Sequence, residues 1–110
     1  MRKAKIDEIN IDQRILENDR ARLNQQVEIQ ITQIFYKLRS LEMRMQSEKV
    51  AVRSAQKSYD VIKTRYENDK ALLIELIQAQ NSLTTSELNR TLTKYDYLIQ
   101  LAELKKVIGE

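Results

Sequence analysis

The sequence predicts an all-α protein: one long antiparallel α-helical hairpin, its two arms joined as a coiled coil. Three observations carry this. The chain has no proline, and its one glycine is Gly109, so nothing forces a helix break from residue 3 to residue 108. Apolar residues recur every seven positions through most of the first half. The strongest turn signal lies at Asn68-Asp69, residue types that tolerate left-handed backbone and cap helices. Composition agrees. One Phe, five Tyr and no Trp, with 32% charged residues, suit an extended object with thin apolar seams better than a thick core. A hydrophobic content of 42% at helical spacing is too high for a disordered chain. The whole chain, 1–110, reads as one hairpin: helix 4–67, turn 68–70, helix 71–108.

Two seven-residue series define the first helix. Ile31, Leu38, Met45, Val52, Tyr59 and Tyr66 form one; Val27, Ile34, Leu41, Glu48, Ala55 and Ile62 form the other. Their offset of four and three is the a/d pattern of a coiled-coil seam, broken only by Glu48. At 1.5 Å per residue this helix spans about 95 Å. Globular helices average about 11–12 residues, so its length alone argues against a compact fold.

The outer face is also apolar. Ile29, Tyr36, Met43 and Val50 form a third series at f positions, roughly 170° around the helix from the seam. A two-stranded coiled coil keeps that face polar, so the series points to a helix with neighbours on two sides. Toward the amino end the seam drifts: Ile9, Leu16 and Leu23 keep the spacing on the adjacent stripe, while Arg20 and Asn24 fall where a and d belong. Residues 6–26 are therefore expected to pack on a different partner from residues 27–66.

On the return helix, Leu88, Leu92, Tyr95, Ile99 and Ala102 form one stripe, and Tyr97, Leu101, Leu104 and Ile108 another. Gln80-Asn81-Ser82-Leu83-Thr84-Thr85-Ser86 is rich in small polar residues for mid-helix, which suits either a wetted inner wall or a solvated outer face. Folded back about Asn68-Asp69, the return arm reaches to about residue 30. The rest of the first arm is left without a partner inside the hairpin, and exposed apolar stripes of that size mark an interface.

Charge and residue inventory exclude several function classes. Residues 1–66 hold fourteen Lys/Arg and nine Asp/Glu, a balance of +5; residues 67–110 hold five and seven, a balance of −2. The arms attract weakly, and without a basic block no nucleic-acid partner is expected. The absence of Cys and His removes disulfides, thiol nucleophiles, Ser-His-Asp triads and the usual zinc sites. No apolar run approaches the roughly 20 residues that span a bilayer, and because Met1-Arg2-Lys3-Ala4-Lys5-Ile6-Asp7 leads into charged sequence, this stretch is not expected to be a secretory leader. If the parent protein is exported, the chain is expected to be a mature segment of it. Carboxylates such as Asp7, Glu8, Asp12, Glu17 and Asp19 have Arg14, Arg20 and Arg22 at helical pairing distance. No glycine-rich loop could cradle a phosphate. No catalytic residue, metal site or cofactor is expected, and the chain is not read as an enzyme. Polar groups converge only at the turn, where Arg65, Tyr66, Glu67, Asn68, Asp69 and Lys70 lie together with Glu75 and Gln78.

The second half resembles a known family. Arg65-Tyr66, then Leu76-Ile77-Gln78-Ala79-Gln80 and Leu83, then Tyr95-Asp96-Tyr97-Leu98-Ile99 running to Leu104 and Gly109, is similar to the last helical hairpin of the TolC-like outer-membrane efflux proteins. In the first arm, Gln26-Val27-Glu28 with Tyr36 resembles the start of the family's long descending helix. The likeness covers roughly residues 20–110. Two positions depart from it: the family glycine at the turn is Asp69, and an arginine carried by some members is Ala71.

The resemblance implies that the hairpin is a fragment of an α-barrel in a trimeric export channel of a Gram-negative outer membrane. This segment would be periplasmic and would touch the membrane only through β-strands outside it. The partners implied are other copies of the chain, a periplasmic adaptor and an inner-membrane pump. Asn68, Asp69, Lys70, Ala71 and Leu72 would form the adaptor-docking tip, and Tyr66, Glu75 and Gln78 the channel constriction. The helix–helix seam would be Val27, Ile31, Ile34, Leu38, Leu41, Met45, Val52 and Tyr59. Two rivals stand beside this reading. A periplasmic adaptor hairpin predicts a polar outer face. A structural coiled coil for oligomerisation predicts unbroken heptads and no return arm.

Overall fold

A computed structural model describes residues 2–109 of the chain. Helix α1 runs Arg2–Glu67 over 66 residues, and α2 runs Leu73–Val107 over 35 residues. They lie antiparallel in a rod of 100 × 19 × 17 Å. There is no strand among the described residues, and the fold is an all-α antiparallel hairpin.

The α1 side of the seam follows the heptads. Val27, Ile31, Ile34, Leu38, Leu41, Met45, Glu48, Val52, Ala55, Tyr59 and Ile62 are its only buried or half-buried residues. Tyr66, the last of its series, is exposed. The α2 side is built differently from the sequence expectation. Leu76, Ala79, Leu83, Ser86, Thr93, Tyr97, Gln100, Leu104 and Val107 face α1, also at heptad spacing. Arg90 holds the heptad position between Leu83 and Tyr97 and is exposed. Of the two expected stripes, Tyr97, Leu101 and Leu104 turn inward, whereas Leu88, Leu92, Tyr95, Ile99, Ala102 and Ile108 are exposed. The seam of α2 thus interleaves large apolar residues (Leu76, Leu83, Tyr97, Leu104, Val107) with small and polar ones (Ala79, Ser86, Thr93, Gln100). A second set of large apolar residues sits outside.

Two cross-arm hydrogen bonds fix the register. Thr93 Oγ1 donates to Glu48 Oε1 at 2.9 Å, and Tyr97 Oη donates to Glu42 Oε1 at 3.2 Å. The bond to Glu42 holds the Tyr97 phenol above its ordinary pKa, with slight desolvation and the Glu42 charge acting the same way. Glu48 also lies 3.8 Å from Arg44 Nε. Its other oxygen, Oε2, is buried and has no hydrogen-bond partner.

The reversal differs in detail from the expected 68–70. It occupies residues 68–72, and α2 begins at Leu73 rather than at 71 and ends at Val107 rather than 108. Toward the amino end α1 begins at Arg2 rather than at residue 4. The longer turn has a clear cause. Asp69 takes φ 58°, and Lys70 N–H bonds Arg65 C=O at 2.7 Å while Asp69 N–H bonds Tyr66 C=O at 3.1 Å. This is a Schellman ending, which needs one left-handed residue after the helix and one more to close the six-residue loop. The Asn68 side chain adds a bond from Nδ2 to Thr64 C=O at 2.8 Å.

The rod is a thin fold. Among the described residues only Leu38, Leu41, Ala79 and Leu83 are buried apolar residues. Residues 2–26 of α1 run past the end of α2 with every side chain exposed. The accessible surface is 9453 Å², against about 6,300 Å² for a compact monomer of this mass.

The turn also supplies a test of the backbone reading. A non-glycine residue pays a steric penalty at a left-handed position, and glycine does not. Asp69→Gly is therefore expected to raise stability by about 0.5–1 kcal/mol. Urea unfolding followed by circular dichroism reads this, and an unchanged or lower midpoint contradicts it.

Candidate functional site: the turn and the groove beside it

The turn end of the rod holds the residues singled out from the sequence. After Asp69 and Lys70 the chain passes through Ala71, which is half-buried, to Leu72, the N-cap of α2 with extended backbone (φ −82°, ψ 151°). Leucine has no side-chain oxygen to satisfy the free amides at a helix start. Glu75 compensates from the other direction: its Oε2 accepts the Leu72 N–H at 3.0 Å, the carboxylate half of a capping box. Its negative charge also sits in the first turn, where the helix dipole favours an anion. Glu75 therefore has a structural task that sequence spacing alone did not reveal.

Beside the turn, an open groove of about 610 Å³ runs between the helices. Ala51, Ser54, Ser58, Ala79 and Ser82 form its bed, and Arg65, Glu75 and Gln78 line it nearest the turn. The groove exists because the bed residues are small, so no side chain fills the space beside the seam. Glu75 and Gln78 thus share one flank. Tyr66 does not line this groove. The hydroxyl-rich stretch 80–86 is divided by the helix: Ser82 joins the groove, Leu83 and Ser86 enter the seam, and Asn81, Thr84 and Thr85 are exposed.

The tip expected from the sequence ends at Leu72. The structure continues an exposed apolar patch through Leu73, Ile74 and Ile77, with Leu72 itself 67% exposed. The signal was present as the run Leu72-Leu73-Ile74 at the start of a helix, where at most one of three consecutive residues can face a seam.

The rest of the surface carries two long apolar stripes. On α1, Ile29, Tyr36, Met43 and Val50 are exposed; on α2, Leu88, Leu92, Tyr95 and Ile99 are exposed. Both point away from the seam, hence to opposite edges of the hairpin. The bonds that Thr93 donates to Glu48 and Tyr97 donates to Glu42 place the α2 stripe level with Met43 and Val50 along the rod. Among the described residues no cluster of acidic side chains could hold a metal ion, and no helix is long and apolar enough to cross a membrane.

Compared with family models, curated proteins and solved structures, the chain matches none.

The capping role separates the two polar groove residues. Glu75→Ala is expected to cost about 0.5–1 kcal/mol through loss of the cap. Gln78→Ala is expected to stay within about ±0.5 kcal/mol, as for an exposed side chain without such a bond. Thermal melts of both variants read the difference, and equal melting temperatures would remove the cap from consideration.

Proposed function

We propose that the chain is one stave of an α-helical tube: the periplasmic α-barrel segment of a trimeric, TolC-like outer-membrane export channel, with the turn as its adaptor-docking tip. One observation carries the reading. The hairpin is apolar along two opposite edges, and the two stripes are level with one another. Sideways displacement of one copy brings the Met43–Val50 stripe of α1 against the Leu88–Ile99 stripe of α2 on the next. Such a contact joins unlike surfaces, and it generates a closed ring when the rotation per copy closes. It also sets the cationic arm beside the anionic one, whereas edge-to-edge contact of like arms would pair charges of one sign.

The apolar edges speak against the adaptor hairpin, which meets solvent on its outer face. In the tube, one flank faces the lumen. The groove flank suits that place because its residues are small and polar and Glu75 projects from it near the tip. Asn68 to Leu72, extended by Leu73, Ile74 and Ile77, supply an exposed tip of mixed character for a periplasmic adaptor helix that links the channel to its inner-membrane pump.

Two measurements test this. The chain has no cysteine, so Met43→Cys and Tyr95→Cys report contact cleanly. Together they should yield a ladder of disulfide-linked oligomers, and each alone should yield none, because like edges do not meet. A ladder from either single variant, or none from the pair, overturns the side-by-side arrangement. In the full-length channel that carries this hairpin, Glu75→Gln keeps the cap acceptor and removes the charge. It should alter single-channel conductance or cation block; identical traces would take Glu75 out of the constriction.

A further inference from the structure

The seam contains one residue that the hairpin alone does not call for. Glu48 stands at a heptad position whose neighbours on α1, from Val27 to Ile62, are all apolar or tyrosine. The seam of α2 is poorer, with Ser86, Arg90, Thr93 and Gln100 among its positions. In hydrophobic terms the better partner for α1 is a second α1, parallel and in register, so that each a and d layer meets its own copy. The flanks of such a pair are indifferent. Lys37 would meet Glu42 of the other copy and Arg44 would meet Lys49, one attraction against one repulsion.

The layer at Glu48 is not indifferent. In a parallel α1 pair it brings two carboxylates face to face inside the seam, with Arg44 of each copy only at the flank and no hydroxyl across from either. A buried like-charge contact is among the most costly arrangements an interface can contain. In the hairpin the same carboxylate meets Thr93, the least exposed residue named in the seam at 3%, whose hydroxyl donates to it at 2.9 Å. Arg44 flanks it at 3.8 Å. One oxygen still lacks a partner, so the layer weakens even the hairpin. A feature that weakens the correct pairing a little and the wrong pairing far more acts on partner choice.

We propose that Glu48 and Thr93 form a partner-selecting layer, which holds α1 to its own return arm and keeps it from coiling with α1 of another copy. The layer acts through differential affinity: only the return arm offers a hydroxyl at that level. This does not rest on the tube reading. A ring of staves leaves each α1 against its own α2, and so does a lone hairpin.

The test uses Val52→Cys as a reporter in the whole chain. Val52 is a seam residue one layer from Glu48, and equivalent a positions in a parallel pair lie close enough for a disulfide. With Glu48 present, oxidised glutathione should give little interchain disulfide. In the Glu48→Leu background the disulfide dimer should rise about tenfold or more, since a single removed like-charge layer outweighs one decade in association. Leucine is favoured at this heptad position, so the variant keeps its helical circular dichroism. Glu48→Gln, which keeps an acceptor for Thr93 and removes the charge, should fall between the two. Equal dimer yield in all three backgrounds overturns the proposal. So does abundant dimer while Glu48 is present.

Discussion

A single apolar seam, one side chain wide on each helix, holds the two arms together, and most other properties of the rod follow from its thinness. Burying a leucine contributes about 1.5–3 kcal/mol, and among its described residues the hairpin buries only Leu38, Leu41 and Leu83 of that kind, with Ala79 beside them. Ordering a 66-residue helix costs conformational entropy along its whole length. The part beyond α2 has no seam at all to offset that cost. Its helical form in isolation rests on propensity, helped by the absence of proline and by charge pairs at helical spacing. A helix of this length gains most of its stability from whatever covers its apolar faces.

The seam is asymmetric, and the asymmetry sorts the surface. On α1 nearly every inward position from Val27 to Ile62 holds a branched or long apolar residue, Glu48 and Ala55 apart. On α2 Ala79, Ser86 and Thr93 alternate with Leu76, Leu83, Tyr97 and Leu104 at the inward positions, and further apolar bulk goes outward as Leu88, Leu92, Tyr95 and Ile99. Small inward residues let the helices approach closely and leave the groove beside Ala51, Ser54, Ser58 and Ser82. They also shift hydrophobic area from inside the hairpin to its edge. The sequence therefore spends little apolar surface on joining its own arms and places much of it where a neighbouring helix can reach.

This asymmetry also explains what could be read in advance and what could not. The α1 seam was legible from Val27 to Ile62 because one heptad frame with large residues runs through it, and Glu48 keeps that frame without keeping its chemistry. The amino-terminal drift was legible for the same reason: Arg20 and Asn24 fall at seam positions, and the structure leaves that stretch without cover. The α2 seam was legible only in its last third, where Tyr97, Leu101 and Leu104 turn inward as their spacing implies. Nearer the turn, only the spacing from Leu76 through Leu83 to Tyr97, carried across Arg90, marks the inner face. The reversal at Asn68-Asp69 was legible from residue type, but its length was not, because a Schellman ending is defined by backbone bonds rather than by composition. Glu75 was picked out as a charge near the turn. That its oxygen is engaged with the Leu72 amide depends on Leu72 being the N-cap, which follows from the turn length.

The inner and outer faces of α1 make opposite demands on a second copy. Ile29, Tyr36, Met43 and Val50 form a line of exposed apolar residues one heptad apart, and such an edge accepts a neighbour. The inner face offers more apolar area than α2 can match, and would accept a neighbour too were it not for Glu48. On the reading proposed here, these features act together: contact between copies is directed to the edges, while each seam remains closed on its own return arm. An assembly made under those two conditions consists of intact hairpins side by side. Without the carboxylate, pairing through the seam would compete with pairing through the edge, and two arrangements of similar apolar burial would coexist. Specificity in this rod therefore comes less from how much surface is buried than from where a single charge is costly.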